Sequence, residues 1–472
     1  MIHERKKAAA MAQRILFATM PFDGHFSPLT GIARHLKDQG HDVRWYAGPS
    51  YAKKLADLGV PHVPFTRARE VSGENIADLF PARAELKGPK LLSFDLEQVF
   101  VANVEHHYHD ILKLHETFPF DALVCDPGFF AAHLIAAKLN PRIYSIGVGP
   151  LFVLSYDPPP FFGLKPARTI VDKLVHRVVR ALLNSTMKQG VKTYNTMLAS
   201  EGMPPVAVGD FFELPRKCAT YYFQSGVPGF DYPRRSLPAN VKFVGPLLPD
   251  RKATVLSIEL EDKLREYRSV IVVSQGTVDN TDAEKLFVPA LEALKGGSHL
   301  VVATTGGKNT EELRRRFPEA NVVVENFVDF DLLFEHADLF ICNGGYGSIL
   351  LALSHGVPIL SAGTREGKND INARIDYLKF GVDLKTEHPT PEKIAKGVTR
   401  VLGDKRFAEN VERIRAEFRT YHPLDLIDGY VAAGDAAGLT ELPFDFDGDD
   451  NRATSGTGST GATVATKRRP AN

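Results

Sequence analysis

The chain has 472 residues, 44% of them hydrophobic and 24% charged, and its 57 Lys+Arg balance its 57 Asp+Glu to a formal net charge of zero. That length fills two or three domains with complete cores. Charge balance argues against general binding to nucleic acid or anionic membrane and leaves room only for a local patch, and no apolar run of about 18 residues is present to span a bilayer.

Three cysteines, Cys125, Cys218 and Cys342, are odd in number and far apart. They suggest neither a disulfide framework nor a zinc site, so a reducing cytoplasm is the simplest compartment. The opening MIHERKKAAAMAQ is polar and basic with no apolar signal core after it, and residues 1–12 read as a disordered leader.

Arg14 to Thr19 is a buried-strand run, followed by a loop from Met20 to Gly31 that holds His25. Leu29, Ile32, Ala33 and Leu36 mark one helix face, Gly40 ends it, and Asp42 to Ala47 is the next strand. This βαβ unit predicts a parallel sheet with the His25 loop at its carboxyl edge. From Glu70 to Thr117 the pattern is irregular and partly helical, with Leu91, Leu92, Phe94, Leu96, Val99 and Phe100 supplying apolar surface. His106, His107 and His109 do not share one helical face and lack an acidic or thiol partner at ligand spacing, so they read as a solvated face or a pocket wall rather than a metal site.

Ala122 to Cys125 forms a strand ending at Asp126, and Pro127-Gly128 turns into a helix carrying Phe129, Phe130, Leu134 and Ile135. Arg142 to Gly147 is another strand. The following LFVLSYDPPPFFGLKP, Leu151 to Pro166, has three adjacent prolines that bar a regular element, while Phe152, Tyr156, Phe161 and Phe162 are too apolar for a solvated loop. It is either the wall of an apolar pocket or a loop packed on its own domain. A helix to Leu198 and strands at Ala219 to Phe223 and Asn240 to Leu247 complete a first domain over 13–245, and PLLPDRK at 246–252 is the linker.

The second half, 253–405, repeats the grammar: a strand from Ser269 to Ser274, a turn at Gln275-Gly276-Thr277, a helix from about Asp282, then strands at Leu300 to Thr304, Val322 to Val324 and Leu339 to Cys342. The last runs into Asn343, Gly344, Gly345 and Gly347, and Ser348 begins a helical pattern through Ile349, Leu350 and Leu353. A strand, a glycine turn and a helix N-terminus converge N–H groups on one point, which suits a phosphate; tight packing is the competing reading. Val357 to Leu360 is one more strand, and the polar loop from Thr364 to Arg374 lies at the same edge. The whole predicts an α/β protein of two facing Rossmann-like domains with parallel sheets and a cleft between them. Helices at 406–443 follow, and the small, polar tail 444–472 reads as disordered.

Two runs resemble a known family. Gly24-His25-x-x-Pro28, together with Gly345, Gly347, Ser348, Gly356-Val357-Pro358 and Asn372-Ala373, is similar to the signature of the family 1 (UDP-glycosyltransferase-like) glycosyltransferases of the bacterial natural-product type, inverting enzymes of the GT-B fold. The resemblance implies a nucleotide diphosphate-sugar donor, UDP- or dTDP-linked, a small apolar or aromatic hydroxyl-bearing acceptor, and no metal or other cofactor. It makes His25 the catalytic base and Asp126 the carboxylate that holds it. Thr277, Phe327, Val328, Asn343, Gly344, Gly345, Gly347, Ser348, Lys368 and Asn369 fall at donor-binding positions, with Phe94, Phe129, Phe152 and Phe161 around the acceptor. It also implies that the last helices cross back onto the first domain.

Several positions depart from the family pattern. Asn343 stands where the phosphate-binding histidine is usual, Lys368-Asn369 where Asp-Gln is, Leu351 where a glutamate receives the ribose hydroxyls, and Asp329-Phe330 where Pro-Gln is. A non-catalytic nucleotide-sugar-binding or auxiliary protein, or a sugar-nucleotide epimerase, are the alternative expectations.

Overall fold

The computed structural model describes residues 12–152, 159–250, 255–276 and 280–433; the leader as far as residue 11, Thr277 and the expected tail lie outside the described residues. Two parallel sheets organise the chain. The first takes β1 (Arg14–Ala18), β2 (Asp42–Ala47), β3 (His62–Pro64), β4 (Ala122–Cys125), β5 (Arg142–Gly147), β6 (Tyr221–Ser225) and β7 (Val241–Gly245) in the order β3-β2-β1-β4-β5-β6-β7. The second takes β8 (Val270–Ser274), β9 (Leu300–Thr304), β10 (Val322–Glu325), β11 (Leu339–Cys342), β12 (Ile359–Ser361) and β13 (Gly381–Asp383) in the order β10-β9-β8-β11-β12-β13. Each order reverses direction beside its first strand, β1/β4 in one sheet and β8/β11 in the other, which is where such folds open a crevice at the carboxyl ends.

The inner strands β1, β4, β8, β9 and β11 are near-continuous apolar runs because both faces are covered. Along β1, Ile15 and Phe17 enter one core and Leu16 and Ala18 the opposite one; along β8, Val270 and Val272 part from Ile271 and Val273 in the same way. That alternation is the period of an extended chain acting on helices that pack both sides.

The His25 loop is shorter than its sequence suggests. Helix α1 spans Asp23–Asp38, so His25 lies in its first turn, where His25 N–H already donates to Phe22 O at 2.9 Å. Helix α2 (Val104–Thr117) corrects the histidine reading for His107 alone, since His106 is exposed and His109 partly exposed. His107 is 3% exposed, hydrogen-bonded through Nδ1 to the Tyr46 hydroxyl at 3.0 Å, and belongs to the core rather than to a wetted face or a pocket wall. Helix α3, Ile170–Ser200, begins at a capping box in which Asp172 N–H donates to Thr169 Oγ1 (3.1 Å) and Thr169 N–H to the Asp172 carboxylate (2.8 Å).

Beyond the second sheet, α4 (Tyr346–Ser354) and α5 (Lys368–Leu378) follow β11 and β12, and α6 (Lys405–Phe418) packs Val411, Ile414 and Phe418 into a cluster that also contains Tyr222, Phe230 and Phe243 from the first half. The last helix, α7 (Pro423–Ala433), buries Ile427 and Val431 in the core of the first sheet, and Gln13 Nε2 donates to Val431 O at 3.1 Å. Among the described residues no helix is long and apolar enough to cross a membrane.

Candidate active site

Sheet register brings the first pair of functional side chains together. Ala18 of β1 lies opposite Cys125 of β4, so the chain leaves both strands side by side, into α1 on one hand and Asp126 on the other. Asp126 is 1% exposed and spends its acceptors locally: Oδ2 on the Met20 N–H (2.7 Å), Oδ1 on the Gly128 N–H (2.7 Å) and on His25 Nδ1 (2.6 Å). The carboxylate keeps the Nδ1 proton of His25 in place and leaves Nε2 as the basic nitrogen. Burial opposes a charge on the imidazole, but the Asp126 charge and hydrogen bond outweigh it, and the His25 pKa is raised above 6.5. The His25 side chain remains 27% exposed.

The glycine turn stands at the carboxyl edge of the other sheet. Cys342 pairs with Ser274 on one side and Ser361 on the other, which sets Asn343 beside Gln275. Asn343 Nδ2 donates to Gln275 O at 2.5 Å, so one amide proton of this 8%-exposed side chain is committed to the fold. Gly344 has φ +98°, and a Cβ there would meet the Asn372 amide at 2.5 Å; the glycine is required for shape and for packing. A Cβ on Gly347, by contrast, would meet nothing within 4 Å. Helix α4 makes its first bond from Ile349 N–H to Gly345 O (3.1 Å), so the N–H groups ahead of it have no intrahelical partner. Ser348 Oγ donates to Gly345 O at 3.0 Å and keeps its lone pairs.

Lys368, first residue of α5, is 8% exposed. Its stem passes Gly363, where an added Cβ would be 3.3 Å from Lys368 Cδ and 2.1 Å from Asn343 O, so the lysine runs alongside the glycine turn. Its ammonium pairs with Glu366 at 2.9 Å. Burial pushes the neighbouring Cys342 thiol up to about 12, with the Gly344 N–H and the Lys368 charge opposing the rise. Phe327 is 75% exposed beside Gly307, Val328 is half-buried against the core, and Asn369 is half-buried with its backbone against Gly163. Leu351 is 1% exposed, inside the core.

A cavity of about 260 Å³ opens between the halves, lined among others by Phe152, Phe161, Leu183, Tyr232, Asp370 and Arg374. Phe152 and Phe161 stack with centroids 4.4 Å apart. Of the four phenylalanines expected around an acceptor, only these two line it. Phe129 is 2% exposed, its ring 5.3 Å from that of His107 in the first core, because the turn after Asp126 points it inward. Phe94 ends a short helix and packs edge-on to Phe80 at 5.4 Å, away from the cavity. Asp370 and Arg374 were not singled out from sequence. Asp370 accepts from the Gly163 and Phe162 N–H groups (2.8 and 3.3 Å), and Arg374 pairs with Asp231 at 3.2 Å over the Tyr232 ring. Their partners lie 143 to 208 residues away, beyond any local pattern.

Residues 291–425 match the family model of the erythromycin biosynthesis protein CIII-like C-terminal domain. The chain is 32% identical over 427 residues to 4'-demethylrebeccamycin synthase of Lentzea aerocolonigenes, covering 89% of this chain and 100% of that one. It is 28% identical to UDP-glycosyltransferase 2 of Phaeomoniella chlamydospora, over 90% and 97% of the two chains. The crystal structure of CalG4, the calicheamicin glycosyltransferase, superimposes with a TM-score of 0.70 over 89% of this chain and 98% of that one at 18% identity, a likeness of fold. With two doubly wound parallel sheets and a relative matched along its full length, this protein belongs to the family 1 natural-product glycosyltransferases of the GT-B fold, enzymes that move a sugar from a sugar nucleotide to a natural-product acceptor.

Proposed function

We propose that the chain is an inverting, metal-independent transferase in which His25 is the base, Asp126 orients it, and the turn from Asn343 to Ser348 holds the donor diphosphate. The observation that carries this reading is the 2.6 Å contact between His25 Nδ1 and a buried Asp126, which leaves Nε2 to take a proton. The acceptor oxygen attacks the anomeric carbon from the face opposite the diphosphate: the new C–O bond forms, the old one breaks, the proton goes to Nε2 and the electron pair leaves with the nucleotide diphosphate. Helix N–H groups at α4 and the Lys368 ammonium stabilise that departing charge. Phe327 offers an exposed ring for the base to stack on. Leu351, apolar and buried, offers no acceptor for ribose hydroxyls, which favours a deoxythymidine diphosphate-sugar over the uridine one. The cavity that the stacked Phe152 and Phe161 help to line suits an apolar or aromatic acceptor.

The test is nucleotide diphosphate release from UDP- and dTDP-sugars, with and without a panel of phenolic and lipid-like alcohols, in EDTA. Release that requires an acceptor, with an inverted anomeric centre by NMR coupling, is the expected result. Consumption of donor without acceptor makes the protein an epimerase; binding without turnover makes it an auxiliary protein.

A further inference from the structure

Helix α3 carries an apolar face that the fold does not use. Ile170, Val171, Leu174, Val175, Val178 and Leu182 are 44% to 86% exposed. At 3.6 residues per turn they form one stripe covering about 140° of the helix and about 18 Å of its length. The buried side of the same helix, His176, Leu183, Met187 and Val191, faces the opposite way, so the stripe is not a misplaced core.

The charge of the helix is as one-sided as its apolarity. Between Ile170 and Ser200 it holds five Lys or Arg residues, at 173, 177, 180, 188 and 192, and a single acid, Asp172, which the capping box occupies. In a chain of zero formal net charge this is a local basic patch. Lys173 and Arg177 are exposed along one flank of the stripe, and Lys188 and Lys192 continue its exposed side toward the C-terminus.

We propose that α3 is an interfacial helix that docks the enzyme on an anionic lipid surface, with the stripe in the headgroup boundary and the lysines and arginines on the phosphates. An apolar face bordered by Lys and Arg is the pattern of helices that lie in the plane of a membrane. Charge decides against a second copy of the chain. In a twofold antiparallel pair like flanks meet, and Lys173 and Arg177 would oppose their own equivalents. The same helix lines the cavity through Leu183 and Asn184 on the side turned away from the stripe, so adsorption leaves that lining clear of the lipid. The adsorption does not rest on the proposed function.

The test is co-sedimentation of the full-length protein with phosphatidylcholine vesicles that contain phosphatidylglycerol and with pure phosphatidylcholine vesicles. Binding to the anionic vesicles only is expected. Val171→Ser/Leu174→Ser/Val178→Ser should abolish it while the protein keeps a cooperative melting transition, since all three side chains are more than half exposed. Lys173→Ser/Arg177→Ser should weaken it about 30-fold, and added salt should do the same. Wild-type protein that stays in the supernatant overturns the proposal, as does triple-serine protein that binds like wild type. So does light scattering that finds a dimer which the triple substitution dissociates, because the stripe is then a self-association face. Each of these outcomes is independent of whether nucleotide-sugar turnover is found.

Discussion

Tyr346 lies inside the glycine turn of the second sheet, yet its hydroxyl donates to Ser225 O of the first sheet at 2.7 Å and accepts from Gln224 Nε2 at 3.2 Å. The proposed diphosphate cradle is therefore fastened by its own turn to the carboxyl edge of the domain that holds His25. Gly226 fits the same junction: its φ is +103°, and a Cβ there would approach the Tyr346 hydroxyl to 3.0 Å.

Replacing His25 by Ala should leave a folded protein whose turnover is lower by about 10² to 10⁴, the usual worth of general-base help. Acceptor-dependent nucleotide diphosphate release measures it. Turnover equal to wild type removes His25 from the chemistry.

The pH profile should carry the signature of the same pair. A base works when neutral, and Asp126 raises the His25 pKa above 6.5, so kcat/KM should rise with pH along an acid limb displaced upward from that of an ordinary histidine. Asp126→Asn should move the limb down and lower the plateau. Stability runs in the other direction: the contribution of the charged pair is complete below the unfolded value and fades as pH climbs through the raised folded one. Urea titrations of wild type and His25→Ala across that interval measure the difference, and a gap that widened with rising pH would contradict it.

Lys368→Gln should weaken binding of the nucleotide diphosphate about 10- to 100-fold, the worth of a hydrogen bond to a charged group. The effect should appear in the dissociation constant by calorimetry, where no acceptor is needed, and shrink at high salt. If Lys368 compensates for the uncharged Asn343, then Asn343→His should recover part of the loss in the Lys368→Gln background and gain less in wild type. Equal effects in both backgrounds would show the two positions to be uncoupled.

Leu351→Glu, which writes the family residue back in, should not confer a preference for ribose. The side chain is 1% exposed among apolar neighbours, and an unpaired carboxylate there should cost about 3 kcal/mol or more. Thermal melting tests it: a variant as stable as wild type and tighter on UDP than on dTDP would mean that this helix face reaches the donor.

Much of the architecture was readable because it rests on short-range pattern. The runs at Arg14, Val270 and Leu339 are apolar enough to be strands buried on both faces, and the alternation of strand and helix predicts parallel sheets. His25, in the first helical turn after β1, and Asp126, just past β4, were paired by the family resemblance rather than by any local pattern, and they lie 2.6 Å apart. What was misread depends on where a chain segment points. Phe129 looks like a pocket ring until the turn after Asp126 rotates it into the core, and His107 looks wetted until Tyr46, 61 residues earlier, takes its Nδ1. The cavity charges Asp370 and Arg374 were invisible for the same reason: what recognises them is loop backbone at 162–163 and the carboxylate of Asp231.

Helix α7 closes the core of a sheet whose first strand was made more than 400 residues earlier; the bond from Gln13 to Val431 spans 418 positions. A ribosome finishing this chain will have released strands β1 to β7 long before Ile427 and Val431 emerge, leaving part of their apolar surface uncovered in the meantime. Nascent protein is thus exposed to aggregation for most of its synthesis, and a stop codon at residue 421 or 422 should yield insoluble product even though every described strand and every proposed catalytic group is present.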